Sequence, residues 1–394
     1  MRPTATARIP EPRIYVDVHI LQTVPPANLN RDDQGNPKEA FYGGVRRSRV
    51  SSQAWKHATR KHFAERVPEQ DLATRTRRVI AALADQIKDG TELGDEPALR
   101  LAEALLSQLD LSVGKKKGDT AYLLFYGRRQ LDAVAALVRD RAQELAALDD
   151  DALADIVKTM AVREKFSTGH PIDVALFGRM VADVPSLKVD AAAQVAHALS
   201  THAVELEFDY FTAVDDQQSD EETGAGMIGS IGFNSATLYR YATVGVHQLL
   251  QNLTEGETAI HAVEEFVTSF ARSIPNGYTN AFAHRTLPSL VSVVVRRDQP
   301  VNLVSAFERP VSAIAGANSS GIAAESARRL AREHLQAIAN WGDTPAFTAA
   351  SHTYMDAPKT GEALQEAFGS PVPFPKLLSG LRAHLTDSLK QAAQ

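Results

Sequence analysis

Asn28-Leu29-Asn30-Arg31-Asp32-Asp33 leads, through Lys38, into Phe41-Tyr42-Gly43-Gly44-Val45-Arg46-Arg47-Ser48-Arg49-Val50-Ser51-Ser52-Gln53-Ala54-Trp55-Lys56-His57-Ala58-Thr59-Arg60-Lys61-His62-Phe63. The stretch reads as a loop, a glycine turn, a basic strand and a capped basic helix. Between Arg31 and Lys61 eight Lys or Arg stand against three acids, in a chain whose net charge is -6. A local reversal of sign on this scale is the footprint of a polyanion site. A merely solvated basic face is the competing reading.

Ser51 or Ser52 can cap the helix, because a serine oxygen accepts from the unpaired amides of the first turn. At 3.6 residues per turn Gln53, Lys56, His57 and Arg60 share one face, while Trp55, Ala58, Thr59, His62 and Phe63 point elsewhere. Free first-turn amides beside Lys and Arg would make a phosphate cradle.

Working outward, residues 13 to 21 alternate, with Ile14, Val16, Val18 and Ile20 on one face and Tyr15, Asp17 and His19 on the other, which predicts a strand with one buried face. Pro25-Pro26 then open a long loop. From about 64 to 160 the pattern turns helical and rich in Ala, Leu and Arg, predicting helices over 76–88, 96–109, 122–148 and 150–162. Residues 194–201 read as helical or extended and 204–214 as a strand. Residues 215–232 read as a mobile acidic hairpin, and 237–249 resume strand character. A helix over 259–273, a central strand over 290–295 and helices over 301–308 and 320–341 follow. Strands separated by helices and a large helical insertion indicate an α+β domain split in sequence.

The chain has 394 residues, 44% of them hydrophobic and 23% charged, which is the make-up of an ordinary soluble globular protein with two or three lobes. Without a single cysteine it has no disulfide, thiolate catalyst or cysteine-zinc site. No run reaches the length of a membrane span and the start has no apolar signal core, so a cytoplasmic protein with no membrane partner is expected. Net acidity confines any nucleic-acid site to a local stripe.

Gly224-Ala225-Gly226-Met227-Ile228-Gly229 spells a dinucleotide-binding pattern, but acids precede it and no convincing helix follows, so the context argues against a nucleotide loop. The pairs His57/His62 and His197/His202 have a spacing that puts partners on different helix faces, so no metal or cofactor is expected. Asp32-Asp33 fit either an Asx-type turn or pairing with Arg31, or a carboxylate pair for metal-assisted hydrolysis.

The block Leu29-Asn30-Arg31-Asp32-Asp33, followed by Tyr42-Gly43-Gly44-x-Arg46-Arg47-x-Arg49-Val50-Ser51-Ser52-Gln53, resembles the signature of CasC, the backbone subunit of type I-E CRISPR Cascade complexes. Residues 173–180, 211–216, 239–242 and 302–308 resemble further blocks in family order. The resemblance implies an α+β fold with an RRM-like, ferredoxin-like palm, a helical fingers insertion and a thumb hairpin. The expected bounds are 1–62 and 190–394 for the palm, 63–189 for the fingers and about 207–235 for the thumb.

It further implies a non-catalytic antiviral ribonucleoprotein subunit that binds CRISPR guide RNA (crRNA) regardless of sequence. Copies would stack head to tail as a helical filament beside other Cascade subunits and present the guide for pairing with target DNA. The implied RNA contacts are Arg31, Lys38, Ser51, Gln53, Lys56 and Arg60, with Arg46 and Arg49 weaker because they can pair within the filament. Arg179 and Met180 are placed against the RNA at its kink, and Phe211 and Val214 at the thumb base. The alternative is a metal-dependent RNA endonuclease using Asp32 or Asp33. Relatives carry lysines on a fingers helix that meets duplex DNA, whereas here residues 149–158 are acidic; Lys115 to Lys117 are the possible substitute.

Overall fold

The computed structural model describes residues 13–111, 114–180, 187–213, 227–312 and 321–392. Its contacts divide the chain into two units, the first made of residues 1–62, 194–244 and 263–394 and the second of 63–193 and 245–262. In chain order the elements begin with β1 (Tyr15–Ala27), β2 (Glu39–Tyr42), β3 (Val45–Val50) and α1 (Ser52–Ala64). Next come β4 (Ala73–Thr76), α2 (Val79–Asp89), α3 (Asp95–Ser107), β5 (Leu124–Gly127), α4 (Arg128–Ala135), α5 (Ala142–Ala146), α6 (Asp150–Lys158), α7 (Val162–Ser167) and α8 (Ile172–Phe177). Then follow β6 (Ala193–Val195), β7 (Ala198–Ser200), β8 (Glu207–Ala213), β9 (Met227–Gly245), α9 (Val246–Leu253), α10 (Gly256–Arg272) and α11 (Thr279–Phe282). The last are β10 (Leu290–Arg296), α12 (Gly321–Trp341), β11 (Phe347–His352), α13 (Pro358–Phe368) and α14 (Phe374–Ala392).

The first unit is built on an antiparallel sheet in the order β11-β10-β1-β9-β7-β3-β2, with β8 pairing the outer part of β9. β10 is buried along its whole length between β1 and β11, as its unbroken apolar run predicts. β1 departs from the expected half-exposed strand. Asp17 and His19 are as buried as Val16 and Val18. Asp17 accepts from Arg296 Nε, Tyr241 Oη and the Val301 amide, each at 2.9 Å, and His19 Nδ1 lies 2.9 Å from Tyr239 Oη. The Asp17 carboxylate is tolerated inside because three donors replace the water it loses. Pro25-Pro26 also end the strand rather than open the loop. The register with β10 closes at Leu21, so neither proline is asked for a ladder hydrogen bond to that strand.

β2 and β3 form a hairpin whose two-residue turn is Gly43-Gly44, with φ of +59° and +79°. Only glycine takes both positions without cost, and a Cβ on Gly43 would overlap the carbonyl oxygen of Glu308. Helix α1 starts where Ser51 Oγ accepts from the Ala54 amide at 3.2 Å. Its inward face carries Trp55, Ala58 and Thr59, all buried. Trp55 meets Phe270 edge-on at 6.4 Å, and the guanidinium of Arg240 lies 3.7 Å over its ring. Gln53, His57 and Lys61 stay exposed and Lys56 and Arg60 half-buried, matching the face read from spacing.

The second unit is mainly helical around a core that includes Leu83, Leu101, Leu105, Leu131, Val134, Val157 and Phe166. The expected helix over 122–148 is instead strand β5, helix α4 and the short α5. Leu124 to Gly127 are fully buried and pair with Ala73 to Thr76, so tertiary pairing overrides local helix preference. Residues 194–201 resolve as strands β6 and β7, and 303–307 as a 3-10 turn. Of the expected hairpin over 215–232, residues 215–226 lie outside the described residues, and 227–232 belong to β9. Among the described residues no helix is long and apolar enough to cross a membrane.

Two outcomes test this packing. Gly43→Ala should lower folding stability by about 2–4 kcal/mol in urea melts, from backbone strain plus overlap with Glu308. His334 is fully buried, stacked on Phe368 at 4.7 Å, and desolvation with help from Arg296 lowers its pKa to about 4. The folded state therefore refuses a proton that the unfolded chain takes up below about pH 6.5. Its contribution is complete above that pH and is lost as pH falls towards 4, by about 3 kcal/mol in total. His334→Phe should flatten that part of the stability-pH curve in parallel melts.

Candidate nucleic-acid interface

The loop from Asn28 to Lys38 is held in shape by its own polar groups. Asn28 Nδ2 donates to the carbonyls of Gly35 and Gly232, both at 2.9 Å. Asp32 Oδ1 accepts from the amides of Gln34 and Asn36, each at 2.9 Å, forming an Asx-type turn. Of the readings open for this acid, the turn is the one its contacts show, and Arg31 instead lies over the ring of Tyr278 at 4.7 Å. Asp33 is exposed. Among the described residues no three His, Asp or Glu side chains gather in a metal-binding arrangement.

The loop is tied to strand β3 and helix α1 by three bonds. The Lys38 amide donates to Asn30 O at 2.8 Å, the Arg49 amide to Lys38 O at 2.9 Å, and the Ser51 amide to Asn30 Oδ1 at 2.9 Å. His197 completes the arrangement, its Nδ1 accepting from the Ser52 amide at 2.9 Å. Burial lowers its pKa first, and the nearby Arg49 and Lys38 lower it further, so the ring stays neutral with the proton on Nε2. Arg31, Lys38 and Arg49 are thus brought to the N-terminal end of α1, from which Gln53, Lys56 and Arg60 run along the outer face. Burial also lowers the pKa of Lys56.

Some expectations need correction. The first-turn amides of α1 are not a free cradle, because those of Ser51, Ser52 and Ala54 already serve Asn30, His197 and the Ser51 hydroxyl. Ser51 is buried and its hydroxyl is the helix cap, so it supports the site from beneath. Arg47, counted in the basic excess, is fully buried and donates to the carbonyls of Tyr42, Ser200, Phe307 and Glu308. Arg46 points outward but pairs with Glu39 across the hairpin at 2.6 Å and lies over Phe41. Arg49 is half-exposed, with Nε 3.3 Å from Glu39 O.

Arg179 is the clearest departure. It is 2% exposed, and its guanidinium donates to the carbonyls of Leu187, Phe166 and Phe125. Burial lowers its pKa to about 10, which still leaves it a cation at neutral pH. It is a strut of the second unit, not a surface group. The next residue, Met180, is 87% exposed. Phe211, on β8, is half-exposed and its ring lies so close over Gly229 of β9 that no side chain fits there. Val214 lies outside the described residues.

The glycine pattern at 224–229 begins outside the described residues, and from Met227 the chain runs as a strand, not the helix that a dinucleotide fingerprint requires. In the basic loop, Lys117 is paired with Glu96 at 2.5 Å. Asn30, His197 and Tyr278 were not singled out as site residues from the sequence. A histidine that caps a helix start from the distant link between β6 and β7 leaves no local spacing to find.

Fold and surface together define an α+β protein with a basic loop, strand and helix. The sequence pattern of the CT1975-like protein family matches residues 16–372, and the chain belongs to that family of CasC-type backbone proteins. Among solved structures it is similar to a chain of a CRISPR RNA-guided surveillance complex, pre-nicking, at 30% identity and a TM-score of 0.76, covering 94% of this chain and 100% of that one. It is also similar to a chain of another CRISPR RNA-guided surveillance complex, at 27% identity and a TM-score of 0.67, over 94% and 99% of the two chains. A comparison with curated proteins finds no match.

Arg179→Ala should cost about 3 kcal/mol by leaving buried carbonyls unpaired, seen as a lower unfolding midpoint, while the salt dependence of RNA binding stays as in the wild type.

Proposed function

We propose that this chain is a crRNA-binding backbone subunit of a Cascade-type surveillance complex, of type I-E, that grips the guide by its phosphates and does no chemistry on it. The observation that carries this reading is the tie between loop, strand and helix. It brings the segments that carry Arg31, Lys38 and Arg49 to the start of the helix that carries Lys56 and Arg60, in a chain that is acidic as a whole. Phosphate contacts position a nucleic acid without reading its sequence, as a subunit that must accept every guide requires. Gln53 adds a polar contact at the start of the helix, and Ser51 acts through its cap.

In this reading the first unit is the RRM-like palm with β8 and the outer part of β9 as its thumb, and the second unit is the fingers. Met180 serves as an apolar wedge against the RNA, with Phe211 and Val214 at the thumb base. Head-to-tail contacts that do not close generate a filament, so guide length sets copy number. Base pairing then reads target DNA while protein holds the backbone.

The observation that weakens the endonuclease alternative is the engagement of Asp32 in its own turn. Cleavage of a bound single-stranded RNA in Mg²⁺, lost in Asp33→Ala, would restore it.

The central test is salt-dependent binding of unrelated single-stranded RNAs. Lys56→Ala with Arg60→Ala should weaken binding equally for each sequence and flatten the slope of log K against log salt by about 0.7 per lost contact. An unchanged slope would remove both residues from the interface.

A further inference from the structure

Arg31 is exposed at the base of the turn, bridged to Pro37, and its guanidinium lies over the ring of Tyr278, 4.7 Å from the centroid. The neighbouring Asp32 is engaged in its own turn, Oδ1 accepting from the Gln34 and Asn36 amides. Tyr278 itself is placed at a cost. Its backbone is left-handed, with φ +48° and ψ +35°, a region that bulky residues rarely enter. Gly277 lies so close to the carbonyls of Asn28 and Leu29 that no Cβ fits between them. The ring stands edge-on to Phe282 at 6.4 Å, and Phe282 in turn packs on Phe233 of β9 at 5.9 Å. A run of three aromatic rings therefore leads from the sheet to one arginine.

We propose that Tyr278 is a positioning residue of the RNA grip, which orients Arg31 towards a phosphate of the bound strand. A guanidinium stacked on a ring keeps its five N–H donors along the open edge, available for a phosphate. Holding it there removes rotamer freedom before the RNA arrives, so less ordering cost falls on binding. Strain at Tyr278 is then explained by its role, since glycine would satisfy the backbone but would carry no ring. The inference rests on the RNA-binding reading above and adds to it a residue far from the basic stretch in sequence.

The experiment measures affinity of the full chain for two unrelated fluorescein-labelled single-stranded RNAs, with thermal unfolding in parallel. Tyr278→Gly should weaken binding by about 3- to 5-fold, the cost of ordering one arginine side chain on binding. Its unfolding midpoint should hold or rise, because glycine relieves the left-handed backbone. Tyr278→Phe should keep wild-type affinity. In an Arg31→Ala background, Tyr278→Gly should cause no further loss.

Wild-type affinity in Tyr278→Gly, or an equal loss in both backgrounds, would overturn the proposal. So would an Arg31→Ala variant that binds normally while the Lys56 and Arg60 variants do not, which leaves the RNA-binding function standing. A wild-type chain that holds neither RNA would overturn both.

Discussion

The guanidinium of Arg240 fixes the geometry on which the first unit depends. It sits fully buried between the Trp55 ring, 3.7 Å away, and Phe270, and donates to Gln22 Oε1 at 2.5 Å and to the Phe270 carbonyl. One side chain of β9 thereby joins β1, α1 and α10. Burial lowers its pKa to about 9, yet it remains a cation, and a buried cation is tolerated only where rings and acceptors replace water. Because Trp55 must face this group, the opposite face of α1 must look outward. That is the face carrying Gln53, Lys56, His57 and Arg60.

The same physics separates arginines that build the fold from arginines that stay at the surface. Arg47, Arg179, Arg240 and Arg296 are all nearly inaccessible, and each donates to carbonyls, a side-chain amide or a carboxylate. Arg31 and Arg46 keep their charge at the surface. Arg46 and Arg47 are adjacent in a strand, so their side chains leave on opposite faces, and a one-residue difference decides between solvent and core. A count of positive charge along the sequence includes both and cannot tell them apart.

Much of the basic stretch was nevertheless legible. A serine cap at Ser51 or Ser52, the Gly43-Gly44 turn and the outward set on α1 follow from local rules of capping, positive φ and helical period, and the Ala54 amide selects Ser51 as the cap. The buried strand β10 was likewise written in its apolar run. The Asp32 turn was one of two readings the residues allowed, and the amides of Gln34 and Asn36 select it. Less legible were β1, whose Asp17 and His19 look solvent-facing by alternation, and β5, which hides inside a helical pattern. In both cases partners more than 40 residues distant supply the hydrogen bonds that make the outcome stable.

The sequence by itself determined the family, the local shape of the basic stretch and the direction of the amphipathic helix, because these depend on neighbours within one or two turns of chain. Only the tertiary structure decided which cations reach the surface and what holds them. His197 under the start of α1, Tyr278 under Arg31 and the carbonyls around Arg179 come from elsewhere in the chain. The physical reason is that a charged side chain's role is set by whether folding surrounds it with acceptors or leaves it in water. That outcome depends on pairings between segments that no local pattern encodes.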